Sequence, residues 1–146
     1  NGGDVLKLIG DGTLAIFTGE DRSSAWRAAL GGGIGARRAV AGINQRRSAE
    51  NQPTTDMYLG LHVGEVFYGN IGSKERLDFT VVGPAVNEVS RIAGMCRSVD
   101  QPLLVSSAFA SAIGEPSKLL VSVGRYALRG VGLPQDLYTL DPTSNR

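Results

Sequence analysis

Hydrophobic residues in this chain form short extended runs and a few segments with helical spacing. The runs DVLKLIG and TLAIF flank Gly10, Asp11 and Gly12. They predict two strands joined by a tight turn, because Gly and Asp accept the positive φ angles of a hairpin. Further runs predict strands by the same criterion. They are MYLGLHVGEVFYGNIG (one long, bulged strand), LDFTVVG, LLVS, LLVSVGRYALRGV and DLYTL.

Three segments have the pattern of helices. The first covers about residues 21–47, where Trp26, Leu30, Ile34 and Ile43 share one face. The second begins at Pro84, a residue suited to the first turn of a helix, and continues to about residue 96. The third is the short segment SAFASAI, which Ser106 or Ser107 would cap.

A run of glycines, GGGIG, interrupts the first predicted helix at residues 31–35. Each glycine inside a helix costs up to about 1 kcal/mol relative to alanine, so we expect the helix to be weakened or bent there. The alternative is a glycine loop that binds phosphate. That alternative lacks the strand that should directly precede such a loop.

The order of elements predicts an α+β fold. Hairpins mixed with helices are typical of an antiparallel-rich sheet covered by helices, ferredoxin-like in the βαββαβ sense. A complete unit of that kind has a strand and a helix before its first hairpin, whereas this chain starts at the hairpin. We expect one domain over residues 1–141 and a polar tail over residues 142–146.

Composition narrows the class of function. The 146 residues are 42% hydrophobic and 20% charged, which is typical of a globular domain, and a net charge of +1 disfavours nucleic-acid binding. The single cysteine, Cys96, and the absence of an apolar run of about 20 residues predict a reducing, cytoplasmic setting. Because the chain starts at Asn1, we expect it to be part of a longer protein, with a sensor or membrane segment upstream.

Three stretches resemble the catalytic domain of the class III nucleotide cyclases. They are KLIGDGTLAIF, LHVGEVFYGNIGSKERLDFTVVGPAVNEVSRI and LRGVGLPQDLYTL, and the resemblance extends over residues 5 to about 140. The middle stretch is long and ungapped, which makes the match specific. The resemblance implies the cyclase fold without its first strand and helix. It also implies attack of a ribose 3′-hydroxyl on the α-phosphorus of a nucleoside triphosphate, with release of pyrophosphate.

Asp11 matches the second of the two metal-binding aspartates of that family. Two ions, Mg²⁺ or Mn²⁺, would activate the attacking oxygen and neutralise the leaving one, and hard cations of this kind need carboxylate ligands. The alternative is that Asp11 only shapes the turn. The family's first metal aspartate, in a segment of the Asp-Ile-x-Gly-Phe type, has no match here, so half of the metal site is missing from the chain.

Asn87 and Arg91 are four residues apart on the predicted helix that follows Pro84, so they share one face. In the family, the matching asparagine orients the ribose and the matching arginine stabilises charge on the α-phosphate. A guanidinium suits that role because it presents a planar fork of donors. The alternative is a solvated helix face. Ser90, between them, is expected to have a packing role.

Lys7 and Thr80 match the pair that reads the purine in the family. A lysine can donate to N1 of adenine, and a threonine oxygen can accept from the exocyclic amine, whereas guanine reverses both positions. The pair therefore predicts ATP as substrate. Asp78, on the same face of the strand, is the alternative acceptor.

Three further residues are candidates for the site. Arg129 in LRGVG is the candidate for a further positively charged side chain that contacts the nucleotide phosphates, and Arg125 is the alternative. His62 is the only histidine of the chain. It lies where the family often has a histidine without a catalytic role, although general-base chemistry is the alternative.

The resemblance further implies a homodimer in which two domains pair head to tail and each site takes residues from both. The sequence thus predicts an adenylate cyclase that makes 3′,5′-cyclic AMP. The alternatives are an inactive regulatory or dimerisation module, which the missing aspartate favours, a guanylate cyclase, or a domain making cyclic dinucleotides. We expect the chain alone to be inactive, or to form a rearranged or swapped dimer, because a sheet edge would stay open.

Overall fold

The computed structural model describes residues 3–9, 12–18, 21–73, 76–114, 118–130 and 132–141. For residues 6–9, 22, 68–73 and 76–82 the backbone alone is described. Asp11, the turn it belongs to and the predicted tail lie outside the described residues.

Helices form where the sequence predicts them. Helix α1 covers Arg22–Ala49, α2 covers Pro84–Met95 and α3 covers Ser107–Ala112. Ser106 caps α3, because its side chain accepts a hydrogen bond from the backbone N–H of Phe109. None of the helices in the described ranges combines the length and the apolar character needed to cross a membrane.

Helix α1 continues without a break through the glycine run at residues 31–35. The phosphate-loop alternative is therefore wrong. Asp21 caps the helix by accepting hydrogen bonds from the hydroxyl and the backbone N–H of Ser23, and these bonds lower the pKa of its carboxyl. At Gly33 the helix lies against the sheet, since an added Cβ would fall 2.6 Å from the Leu59 side chain.

The strands form three sheets in the described part of the chain. Strands β1 (Asp4–Ile9) and β2 (Gly12–Ile16) form one antiparallel hairpin, and β4 (Phe67–Ser73) and β5 (Arg76–Val82) form another. A four-stranded sheet has the order β3-β6-β8-β7, from β3 (Leu59–Leu61), β6 (Leu103–Val105), β8 (Gln135–Leu140) and β7 (Leu120–Tyr126). The β3–β6 pair is parallel and the others are antiparallel. The predicted α+β class with antiparallel-rich pairing is confirmed.

The stretch predicted as one long bulged strand is instead two strands, so that prediction is wrong. Residues 62–66, between β3 and β4, belong to no strand. The His62 ring bonds side chains of neighbouring elements rather than facing an open surface. At Gly64 the chain runs so close to α2 that an added Cβ would lie 2.8 Å from the Cβ of Ala85.

Strand alternation assigns the two long helices to opposite faces of the four-stranded sheet. Leu103 and Val105 pack in one buried cluster with Leu30 of α1, whereas Leu104 between them packs in another with Ile92 of α2.

A cavity of about 800 Å³ is lined by the β1–β2 hairpin, β3, α1 and α2. Among the described strands, β2 pairs only with β1, and β3 pairs only with β6. Strands β2 and β3 therefore each have one edge without a partner strand in the described residues.

Substitution of Gly60 should destabilise the protein by about 1–3 kcal/mol, because a Cβ at this position would lie 2.8 Å from the backbone nitrogen of Ala93 in α2. Gly94→Ala is the matched control, since an added Cβ there meets nothing within 4 Å. It should leave stability unchanged or raise it by up to about 1 kcal/mol. Chemical denaturation of Gly60→Ala and Gly94→Ala measures the difference, and equal stabilities would contradict the close packing.

Candidate functional site

Helix α2 presents Asn87 and Arg91 together on an exposed face. Its first residue is Pro84, and Gly83 before it has φ +140, a conformation that L side chains rarely adopt. Ser90, for which a packing role is expected, is exposed, and its hydroxyl donates to the carbonyl of Val86 at 3.0 Å within the helix. The structure thus brings Asn87 and Arg91 onto one face, as their spacing predicts, while their chemical roles stay predictions.

The orientation of α2 is set by contacts along β3. Glu88 contacts His62, and further along α2 Ala93 lies against Gly60 and the Cys96 thiol donates to the carbonyl of Leu59 at 3.6 Å. The sequence numbers rise on the helix as they fall on the strand, so α2 runs antiparallel to β3. From Glu88 to Cys96 the helix rises about 12 Å, and from His62 back to Leu59 an extended chain covers about 10 Å. Because the two lengths are similar, the contacts at both ends can form together.

His62 lies at a junction between parallel strands. Because β3 and β6 are parallel and Leu61 pairs with Val105, the next residues, His62 and Ser106, emerge side by side. The distance between His62 Nδ1 and Ser106 Oγ is 2.7 Å, and that between His62 Nε2 and Glu88 Oε2 is 3.1 Å. Only 8% of the His62 side chain is exposed.

The hydrogen-bond pattern assigns one neutral tautomer to His62. Glu88 is an acceptor, so Nε2 carries the proton and donates to it. Ser106 Oγ already accepts from the backbone of Phe109 at 3.0 Å, which leaves its hydroxyl proton to donate to Nδ1. Burial lowers the pKa of His62 below its ordinary value of 6.5, and the opposing attraction of Glu88 is the smaller effect.

Further polar contacts extend this cluster to the end of the sheet. Gln135 Nε2 donates to Glu88 Oε2 at 3.4 Å, and Gln135 Oε1 accepts from the backbone of Ser107 at 3.1 Å. Sequence reasoning missed this cluster and assigned His62 no more than a possible general-base role. The signal available was indirect, since the pairing of β3 with β6 is what places His62 beside Ser106.

The two residues predicted to read the purine lie on neighbouring strands. Lys7 is in β1 and Thr80 is in β5, and these strands contact each other although they are in different sheets. Asp78 is two residues before Thr80 on the same strand. The side chains of all three lie outside the described part, so their roles stay predictions.

Of the two arginines considered near the C-terminus, Arg125 has a partner. Its Nε donates to Asp136 Oδ1 at 3.4 Å across the β7–β8 pair. Arg129 is exposed and directly follows Leu128, which is buried in the same cluster as Ile92 of α2. The backbone of Arg129 is therefore anchored to the core beneath α2, while its role toward the nucleotide stays a prediction.

The large cavity lies away from Asn87 and Arg91. From α2 it is lined by Ala85, Val86, Val89, Ser90 and Ala93, on the other side of the helix. Within the described ranges no group of three or more His, Cys, Asp or Glu side chains is placed to hold a metal ion, and Asp11 is not among those residues.

Solved structures with the same architecture are nucleotide cyclases. The guanylyl cyclase Cya2 superposes with a TM-score of 0.77 at 25% identity, covering 99% of this chain and 74% of that one. The adenylyl cyclase CyaB from P. aeruginosa superposes with a TM-score of 0.82 at 23% identity, with the same coverage of both chains. This chain has the class III nucleotide cyclase fold. The cyclase fold also appears in a bacterial light-regulated adenylyl cyclase, with a TM-score of 0.78 at 24% identity, covering 96% of this chain and 39% of that one.

Curated relatives of this cyclase-fold chain are uncharacterized proteins. One from Mycobacterium tuberculosis is 33% identical over 136 residues, covering 92% of this chain and 23% of its own length. One from Mycobacterium bovis is also 33% identical over 136 residues, covering 92% of this chain and 24% of its own length. The chain spans about a quarter of the length of these relatives. No protein-family model matches it.

The stability of this cyclase-fold domain should fall as the pH is lowered from about 6.5, because the unfolded imidazole then binds a proton that the folded, buried ring resists. The loss should continue until the pH reaches the lowered pKa of the folded ring. Denaturation of the wild type and of His62→Gln at about pH 7.5 and about pH 5.5 tests this. The pH-dependent loss should be smaller in His62→Gln, and an equal loss in both would contradict a neutral His62.

Proposed function

We propose that this chain is the catalytic domain of an adenylate cyclase, which converts ATP to 3′,5′-cyclic AMP and pyrophosphate. The observation that carries the proposal is the exposed pair Asn87 and Arg91 on α2, in a chain with the class III cyclase fold. The 3′ oxygen of the ribose forms a bond to the α-phosphorus as it loses its proton. The bond from that phosphorus to the pyrophosphate oxygen breaks.

Each predicted residue has one task in this reaction. Asn87 orients the ribose with its amide, and Arg91 donates to the α-phosphate oxygens where negative charge develops. Arg129 binds the outer phosphates. Both arginines are exposed on the described surface, as contact with a charged substrate requires.

The preference for ATP over GTP rests on Lys7 and Thr80. The contact between β1 and β5 supports their acting as a pair, since each strand carries one of them. The fold neighbours include a guanylyl and an adenylyl cyclase, so this pair, and not the fold, carries the choice of purine.

A divalent cation completes the proposal. Asp11 would hold Mg²⁺ or Mn²⁺, which supplies positive charge beside the reacting phosphate. The second carboxylate of a two-ion site has no match in the chain. Sites shared across a homodimer remain part of the proposal, because Lys7 and Asp11 are four residues apart and serve different ends of the nucleotide.

A regulatory or dimerisation module without catalysis is the second candidate. This candidate would hold if the full-length protein also lacks the first metal aspartate of the family, because a single aspartate cannot hold two ions in the usual arrangement. The two candidates differ in whether the full-length protein turns over ATP when Mg²⁺ or Mn²⁺ is supplied.

Arg91→Ala in the full-length protein should lower kcat for cyclic AMP formation by about 100-fold or more, because it removes a donor to the developing charge. Arg97→Ala is the matched control. Arg97 is also exposed, but its guanidinium lies 5.3 Å from the centre of the Tyr58 ring. Product formation by Arg91→Ala equal to that of Arg97→Ala would contradict the role of Arg91.

The double substitution Lys7→Glu with Thr80→Cys should shift preference from ATP toward GTP. Each mismatched polar pair with guanine costs about 1–3 kcal/mol in the wild type, so removing both mismatches should change the ratio of kcat/KM values by about tenfold or more. Competition between ATP and GTP measures the ratio, with circular dichroism as the control for folding. An unchanged ratio would show that these residues do not read the purine.

A further inference from the structure

We propose that His62 is a positioning residue that sets the rotation of α2 about its axis, and with it the positions of Asn87 and Arg91, through Glu88. This inference rests on the proposed function for its link to catalysis, whereas its structural part stands on the contacts themselves. His62 is not itself placed to react with a substrate, since its side chain is 8% exposed and both ring nitrogens have protein partners.

Glu88 lies between Asn87 and Arg91 along α2 and makes polar contacts with residues outside the helix. The C-terminal half is fixed by Ile92, which is fully buried, and by Cys96 just beyond the helix. At the N-terminus, Gly83 provides no side-chain cap. In the described residues, the side-chain hydrogen bonds from α2 to other elements that lie nearest to Asn87 are therefore those of Glu88 with His62 and Gln135. Packing of Gly64 against Ala85 adds a contact at the first turn.

Helical geometry couples Glu88 to the site. At about 100° per residue, Asn87 lies about 100° to one side of Glu88, and Arg91 lies about 60° to the same side. A roll of α2 by about 10° would move side-chain atoms about 6 Å from the axis by about 1 Å. A misplacement of about 1 Å can cost up to about 100-fold in rate, so a small roll is enough to matter.

The His62 side of the contact with Glu88 is held by buried groups. Ser106, which contacts His62 Nδ1, is fully buried and caps α3, and its own N–H donates to the carbonyl of Leu61 at 3.0 Å. His62 thus links α2 to the ends of two paired strands. Gln135 adds a second, longer contact to Glu88 from β8.

Two substitutions of His62 separate positioning from a general effect on stability. In His62→Gln the amide nitrogen takes the place of Nε2 and keeps the bond to Glu88. In His62→Asn the amide takes the place of Nδ1, keeps the bond to Ser106 and loses Glu88. Each variant loses one hydrogen bond, so both should lose similar stability, about 1 kcal/mol.

Two measurements on the full-length protein test the proposal. His62→Asn should lower kcat about 10- to 100-fold with little change in KM, and His62→Gln should stay within about threefold of the wild type. Hydrogen exchange of the peptide covering residues 84–95 should become faster in His62→Asn and stay close to wild type in His62→Gln. Equal kcat and equal exchange in the two variants would overturn the proposal.

The exchange measurement keeps this proposal distinct from the proposed function. If the wild type forms no cyclic nucleotide, the cyclase proposal fails, and the exchange of residues 84–95 still decides whether His62 holds α2. If His62→Asn does not fold, Glu88→Gln and Glu88→Ala replace it. Glu88→Gln retains an acceptor for the ring and should behave like the wild type, whereas Glu88→Ala should show the faster exchange. Identical exchange in these two would also overturn the proposal.

Discussion

The close approach of α2 to β3 at Gly60 is the constraint on which the candidate site depends. The helix backbone lies so near that any side chain at residue 60 would collide with it. A glycine inside a strand often marks such a contact. Once the helix lies this close, Glu88 meets His62 at one end and Cys96 meets Leu59 at the other. Asn87 and Arg91 then face solvent because the opposite directions around the helix are already occupied.

The two ends of the α2–β3 contact are stabilised by different interactions. Near Cys96 the helix is held mainly by a buried apolar cluster that includes Ile92 and Leu104, to which the thiol adds one long hydrogen bond, and burial raises the pKa of the Cys96 thiol. Near Glu88 the contact is polar, and the buried imidazole is kept neutral because charging it would cost desolvation energy. Apolar burial resists separation of the helix from the sheet but is not directional. Hydrogen bonds to a fixed ring are directional, and they define the rotation of the helix about its axis.

Local patterns in the sequence predicted most of the elements, since the helices and hairpins rest on apolar spacing and on Pro84 and the Ser106 cap. The same patterns failed over residues 62–66, where alternation suggested a strand. There, tertiary contacts of His62 and Gly64 decide the path, and they come from residues 21 to 44 positions away. The exposed pair on α2 was predictable from spacing alone. The cluster that orients it was not, because the parallel pairing of β3 with β6 has no signal in single-sequence periodicity.

The predicted site is divided between parts of the fold that are joined in different ways. Thr80 and Asn87 are connected through the short path from β5 into α2 at Gly83, so their backbones are covalently coupled within seven residues. Lys7 belongs to a hairpin that, in the described residues, pairs with no strand of the sheet beneath α2. The cavity is lined by residues of both that hairpin and β3. The position of Lys7 relative to α2 is therefore set by packing, which includes the contact of β1 with β5, and not by strand pairing with that sheet.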